Sequence, residues 1–304
     1  MTTSTVSSPI PGAEARTLEV PGATLTYDVR RSEETTEPPL VLIGSPMGAG
    51  GFPSLAAHFP DRTLVSYDPR NNGERSPVDD PSVPITAEVQ ADDVHRVIEA
   101  AGGGPVDLFA SSGGAIVALA LIAKYPGDVR TAVAHEPPFA SLVPDREQAL
   151  AANRAMHETY QRSGGGAGMA HFIQVVSHAG PFTPEVVAAP PPDPAMFGMP
   201  AEDDGTRGDL MLDHNVVYLT SYVPDFDAIR RAPTRLVLAR GDESGGAEDG
   251  ILASRGAYAA AERLGTDVAV FPGGHGGFMG GEYGQPPGEP EAFAAKLREV
   301  LASR

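Results

Sequence analysis

The chain contains no cysteine in 304 residues. That absence excludes disulfides, thiolate metal sites and a cysteine nucleophile together, and it leaves serine as the natural carrier of nucleophilic chemistry. Basic residues are scarce, 22 Lys and Arg against 40 Asp and Glu, for a formal net charge of −18. A surface of that sign repels phosphate backbones, so nucleic acid is not an expected partner, and anionic substrates are disfavoured. No apolar run reaches membrane-spanning length, so no membrane partner is expected either. Residues 1–16 lack the basic start and apolar stretch of a secretory leader and read as a flexible tail, with a cytoplasmic location as the expectation. What is present suits a large globular α/β domain carrying an insertion: 41% hydrophobic residues, 20% charged, and 35 glycines and 30 prolines as punctuation.

The organising stretch is Asp107-Leu108-Phe109-Ala110-Ser111-Ser112-Gly113-Gly114-Ala115. An apolar strand runs through small residues directly into a helical pattern, Ile116 to Tyr125. This reads as a nucleophile elbow of the G-x-S-x-G type, in which small flanking residues let the backbone turn sharply and present the serine at the apex. Ala110 replaces the first glycine and Gly114 keeps the second, so Ser112 is the presented residue. A plain buried strand ending in a Ser/Gly turn is the competing reading, and the rest of the chain has to decide between them.

Upstream, Thr17–Val20 and Ala23–Val29 around Pro21-Gly22 predict a hairpin of edge strands. The short apolar run Pro38–Ile43 predicts a strand covered on both faces, opening into the glycine-rich turn 44–51. That turn lacks the lysine of a P-loop and the spacing of a dinucleotide fingerprint. The alternative is that the main-chain N–H of Ser45 points at the same spot as that of Gly113, forming an oxyanion hole. Arg62–Tyr67 predicts another buried strand, followed by a polar turn in which Asp68 and Arg70 have structural roles. From Thr86 the spacing of Ala87, Ala91, Val94, Ile98 and Ala101 predicts a helix, with Asp92, Asp93 and His95 on its solvated face and no metal site among them. Strand patterns at Val106–Ala110 and Val129–Ala134 complete an alternation that calls for a parallel, doubly wound sheet. In such a sheet functional groups collect at the carboxyl ends of strands, where Ser45, Ser112 and Glu136 all fall.

After Glu136-Pro137-Pro138 the pattern becomes helical: Asp145–Gln161, Gly168–His178 and Leu210–Tyr222, with a proline-rich passage from 181 to 205. Residues 139–228 are therefore expected to form a helical cap inserted into a core of 17–138 and 229–304. Met156, Phe172 and Met211, with Met47, Ser111 and Phe139 from the core side, are the candidates to line an apolar cleft, and Met169, Met196, Phe197 and Met199 are further cap residues available to it. The parallel pattern resumes at Thr234–Ala239, a helix at Ile251–Leu264, and a strand at Asp267–Phe271. His275 follows between glycine pairs, free to swing into a cleft. Pro290–Leu301 reads as a closing amphipathic helix.

Taken together, the turn at Ser45-Pro46, the Tyr67–Gly73 turn, the elbow at Ser112, the strand Leu236-Val237-Leu238 and Gly273-Gly274-His275 resemble the α/β-hydrolase family over Pro38–Leu301. The resemblance implies an eight-stranded, mostly parallel sheet, a lid over the cleft, and Ser–His–acid chemistry with no cofactor and no metal. The chain departs from the family at Ile43-Gly44, where His-Gly is usual, and at Ala110. It also departs at Ser244, which stands where most members place the triad acid. A carboxylate is needed there to hold the imidazole in one tautomer and to balance its charge. Glu136 is the favoured substitute, in a placement that resembles the relocated acid of some haloalkane dehalogenases, with Asp242 and Glu243 as alternatives.

The expected function is cofactor-independent hydrolysis of an ester, thioester or lactone of a small, largely apolar molecule. Ser112 is the nucleophile, His275 the base and then the acid, and Glu136 the orienting carboxylate. A lyase or cyclase using the same pocket, and a non-catalytic ligand receptor on the same scaffold, are the two other classes considered. A homodimer is left open.

Overall fold

The structure is a computed structural model and describes residues 7–33 and 35–303. Eight strands form one sheet in the order β1-β2-β4-β3-β5-β6-β7-β8. Glu14–Val20 (β1) and Ala23–Arg30 (β2) make an antiparallel hairpin around Pro21-Gly22, with Val20 opposite Ala23. β2 is not an edge strand, contrary to expectation. It also pairs with Leu64–Tyr67 (β4), and most of its side chains are buried. The expected tail is shorter than residues 1–16, because β1 begins at Glu14 and Ile10 is only 2% exposed in a core cluster; residues 1–6 of that range lie outside the described residues.

The remaining pairings are parallel: Leu40–Ile43 (β3) lies between β4 and Val106–Ser111 (β5), followed by Val129–His135 (β6), Arg235–Gly241 (β7) and Val268–Phe271 (β8). Strand periodicity of two sorts their side chains into two cores. Val41, Ile43, Leu108, Ala110 and Ala134 join the cluster that includes Ala87–Ala101 (α2) and Gly113–Lys124 (α3). Leu40, Leu42, Phe109 and Val133 join the other, with Pro53–Ala57 (α1) and the C-terminal helix Pro290–Ala302. α3 is buried almost all round, which is why its sequence is apolar on every face.

α2 begins at Thr86, whose side chain accepts from the Val89 amide, and stops at Gly102, φ +135°. Asp93 does not face solvent as the sequence suggested. It is fully buried against Arg70, with Oδ2 2.7 Å from Nε and Oδ1 2.6 Å from Nη2. Asp68 accepts from the Ala49 amide and pairs with Arg75, which also reaches Asp28, so the polar turn after β4 is tied together by its charges.

Between β6 and β7 the chain makes its helical insertion. Arg146–Val176 (α4) runs where two helices were expected, and the break between them survives as one residue, Gly164, at φ +82°. A side chain at Gly164 would collide with Asp203, so the glycine serves both the bend and the packing. The proline-rich passage contains Pro184–Ala188 (α5) and a 3₁₀ turn at Pro194–Phe197. The expected helix at Leu210–Tyr222 is instead a π-helix over Leu210–Leu219, started by Asp209, whose carboxylate accepts from the Met211 and Leu212 amides. Phe226–Arg231 (α6) packs back on α3, so the chain has rejoined the sheet layers before residue 229. Leu252–Leu264 (α7) then links β7 to β8, and the C-terminal helix is α8.

Candidate active site

Ser112 sits between β5 and α3 at φ +58°, ψ −128°, a conformation that L-residues adopt at a cost of about 1–3 kcal/mol and that persists only where neighbours impose it. The neighbours here are backbone. A methyl group on Gly114 would lie 2.8 Å from both Gly44 Cα and the Ile43 carbonyl oxygen, and one on Gly113 would strike the Ser45 carbonyl. The elbow and the Gly44–Ser45 turn are thus pressed together, which brings together the two segments expected to supply oxyanion donors. Ala110 is fully buried in β5.

A closed ring of hydrogen bonds, unforeseen in the sequence, fixes that turn. The Ser45 hydroxyl donates to Gln90 Oε1 at 2.7 Å and accepts from Asn215 Nδ2 at 2.9 Å, and Gln90 Nε2 donates to Asn215 Oδ1 at 3.2 Å. All three residues are buried. Gln90 comes from α2 and Asn215 from the π-helix, so the ring joins the sheet layers to the insertion. Gln90 falls on the same helical face as Ala87, Ala91 and Val94, and a glutamine on an apolar stripe is the only trace of the ring in the sequence.

Glu136 and His275 meet at the carboxyl ends of their strands. His275 Nδ1 lies 2.6 Å from Glu136 Oε2, and the Gly241 amide donates to Oε1 at 2.7 Å. Burial pushes the Glu136 carboxyl up, but the hydrogen bond and charge of His275, with a contribution from His135, outweigh it and hold the group down at about 2. Glu136 is therefore an ionised, fully buried carboxylate, and its own backbone is at φ +52°. Asp242 and Glu243, the alternatives from the sequence, are both exposed and neither bonds to the ring.

Beneath this pair lies His135, which the sequence reading passed over. Its ring is packed among Phe109, Phe271, Phe278 and Phe293, 6.4 Å from that of His275, and neither nitrogen has a partner among the described residues. Burial, partly offset by Glu136, pushes the imidazole down to about 4, so it is neutral. Its carbonyl oxygen accepts from the Ser112 amide at 3.0 Å.

Ser112 and His275 border one cavity of about 210 Å³. The insertion supplies Met156, Phe172, Val175, Val176 and Val216 to its wall, with Asn153 and Thr220 as the polar members. Ile251, Leu252 and Ala253 close it from the core side. Of the proposed lining residues, Met156 and Phe172 are there and four are not. Phe139 is sealed in the core cluster, and Ser111 is buried at the end of β5. Met47 fills the space that Gly44 and Gly51 leave open. Met211 sits half-buried in the first turn of the π-helix, off the cavity. Met169 and Met199 are half-buried away from it, and Met196 and Phe197 are exposed. A larger cleft, about 340 Å³ and bordered by Asp79, Asp80 and Arg96, contains neither Ser112 nor His275. Among the described residues no group of three or more His, Asp or Glu could hold a metal, and no helix is long and apolar enough to cross a membrane.

Comparison with known proteins agrees with this architecture. The chain is 26% identical over 265 residues to the uncharacterized hydrolase YraK of Bacillus subtilis, covering 86% of this chain and 89% of YraK. Among solved structures it is similar to MGS-M2, an alpha/beta hydrolase enzyme from a Medee basin deep-sea metagenome library, with a TM-score of 0.66, 15% identity, and 95% and 98% of the two chains covered. A thermophilic esterase from Thermogutta terrifontis gives a TM-score of 0.64 at 18% identity, covering 94% and 98%. The model of the alpha/beta hydrolase family matches residues 40–295, and with that span from β3 into α8 the chain belongs to this family.

Proposed function

We propose that this protein is a cofactor-independent serine hydrolase that cleaves an ester, thioester or lactone of a small, largely apolar molecule. The observation that carries the reading is the Glu136–His275 contact at 2.6 Å, with the carboxylate buried and ionised and the imidazole side chain 42% exposed beside the cavity that Ser112 borders.

Because Nδ1 is engaged by Glu136, Nε2 is the nitrogen left for the serine. It takes the Oγ proton as Oγ bonds to the substrate carbonyl carbon, and Glu136 balances the imidazolium that results. The carbonyl oxygen becomes an oxyanion held by the Ser45 and Gly113 amides. Collapse of that intermediate breaks the bond to the leaving oxygen or sulfur, which receives the proton from His275. Water, deprotonated by the same nitrogen, then attacks the acyl-serine and releases the carboxylic acid. The inserted helices act as a cap that gives the acyl-enzyme an apolar surrounding.

The test is covalent labelling with a fluorophosphonate. Wild type is expected to gain one phosphonyl group on Ser112, and Ser112→Ala to gain none and to lose turnover of 4-nitrophenyl esters. Unlabelled wild type, or full turnover by Ser112→Ala, overturns the reading and points to a lyase or a ligand-binding protein.

A further inference from the structure

Asn153 is an amide in a wall that is otherwise almost wholly apolar. It projects from α4 one turn before Met156 and is 4% exposed. Its Nδ2 donates to Thr220 Oγ1 at 2.8 Å, while Thr220 Oγ1 donates to the Val216 carbonyl at 2.7 Å. A hydroxyl has one proton. Thr220 spends it on Val216 and can only accept from Asn153, which fixes the way the amide is turned. Asn153 Oδ1 is thereby directed away from Thr220. Among the described residues nothing donates to it, yet it is not one of the sealed, partnerless atoms of the interior. It keeps accessible surface, and Asn153 is a residue of the cavity wall.

A polar atom held in an apolar wall by a two-bond relay is the arrangement of a binding site that reads one group. If Asn153 served only to clamp α4 to the π-helix, the N–H donor would suffice and the acceptor would have no task. Building on the serine-hydrolase reading above, we infer that Asn153 Oδ1 accepts a hydrogen bond from the substrate, and that the substrate is an apolar carbonyl compound carrying one donor, a hydroxyl or amide N–H, away from the carbonyl that Ser112 attacks. The cavity, about 210 Å³, is below the ~300–1,000 Å³ of drug-sized sites. The enclosed part of the substrate is therefore small, with room for one such group. Selectivity follows, because a site built around a hydrogen bond rejects an analogue lacking it far more strongly than an apolar pocket rejects one methylene.

The experiment compares matched esters that differ only by a hydroxyl. One arm uses 4-nitrophenyl alkanoates of four to six carbons with and without a hydroxyl on the acyl chain, and the other uses hexyl acetate against 1,6-hexanediol monoacetate, which places it on the alcohol. In one arm kcat/KM of wild type is expected to favour the hydroxylated ester at least tenfold, and in Asn153→Leu that ratio falls to one or below. Thr220→Val, which frees the amide to turn, should lower the ratio without abolishing it. Equal rates in both arms, or an unchanged ratio in Asn153→Leu, overturn the inference. Binding of the same pairs to Ser112→Ala by titration calorimetry reads the preference without turnover. A protein that binds the hydroxylated member more tightly through Asn153 but hydrolyses neither contradicts the hydrolase reading alone.

Discussion

His275 Nδ1 and Glu136 Oε2 stand 2.6 Å apart although 139 residues separate them in the chain. The carboxylate reaches the ring from the end of β6, and the strand neighbour β7 contributes only a backbone amide, that of Gly241. Glu136→Gln keeps the shape and removes the charge that, in the proposed mechanism, balances the imidazolium. It is expected to lower kcat roughly a thousandfold to ten-thousandfold with little change in KM. Asp242→Asn and Glu243→Gln should each stay within about twofold of wild type. Steady-state kinetics on one 4-nitrophenyl ester checks all three, and a full rate in Glu136→Gln rejects the assignment.

His135 makes stability depend on pH. Its folded-state value of about 4 lies below the ordinary 6.5. Between those values the unfolded chain binds a proton that the folded one does not, so stability rises with pH there and is lost as pH falls from 6.5 towards 4. Glu136, at about 2 against 4.5, has the same sign and acts between 4.5 and 2. His135→Phe fills an aromatic box with another aromatic ring and removes the first contribution, of order 3 kcal/mol when fully expressed. Urea midpoints at pH 7 and pH 4.5 should therefore differ less in His135→Phe than in wild type. Equal differences would mean that the ring is solvated or partnered.

The ring of Ser45, Gln90 and Asn215 predicts an effect on rate without contact with substrate. Gln90→Leu leaves the Ser45 hydroxyl and the Asn215 carboxamide each short of a partner and loosens the turn that carries the Ser45 amide. A drop in kcat of about ten- to a hundredfold with KM nearly unchanged is expected, as for a weakened oxyanion donor. Slower fluorophosphonate labelling by the same factor would trace the loss to the acylation step. A change confined to KM would instead assign the ring to substrate access.

Gly114→Ala tests the close approach of elbow and turn. Its added methyl meets two backbone atoms of the Ile43–Gly44 turn at 2.8 Å, and neither can yield by rotating a side chain. Loss of several degrees in Tm together with loss of Ser112 labelling is expected. A normal Tm and normal labelling would show that the two turns are not in contact.

The sequence carried the parts of this molecule that depend on local pattern. Alternation and turn residues located the strands, and the small residues around Ser112 located the elbow, because a sharp turn restricts residue type within a few positions. Glu136 is favoured by its strand-end position and its resemblance to a relocated acid, but which of Glu136, Asp242 and Glu243 turns inward is something spacing does not encode. The lining residues fared worst: Met211 and Phe139 are as apolar as Met156 and Phe172, and only the path of the insertion separates cavity wall from core. Asp93 was misplaced for a similar reason, since its partner Arg70 lies on another element and a buried ion pair leaves no periodic trace.

Seven members of the cavity wall, from Asn153 to Thr220, come from one contiguous insertion, whereas Ser112 and His275 come from the sheet's own loops. On the proposed hydrolase reading, variation within that stretch would retune which molecules are admitted and leave the reactivity of the hydroxyl alone, so selectivity and chemistry would diverge independently among descendants of such a chain. Asn215 and Leu219 are exceptions, because the Asn215 amide holds Ser45 and Leu219 packs against the elbow at Gly113, so drift at either would be felt by both.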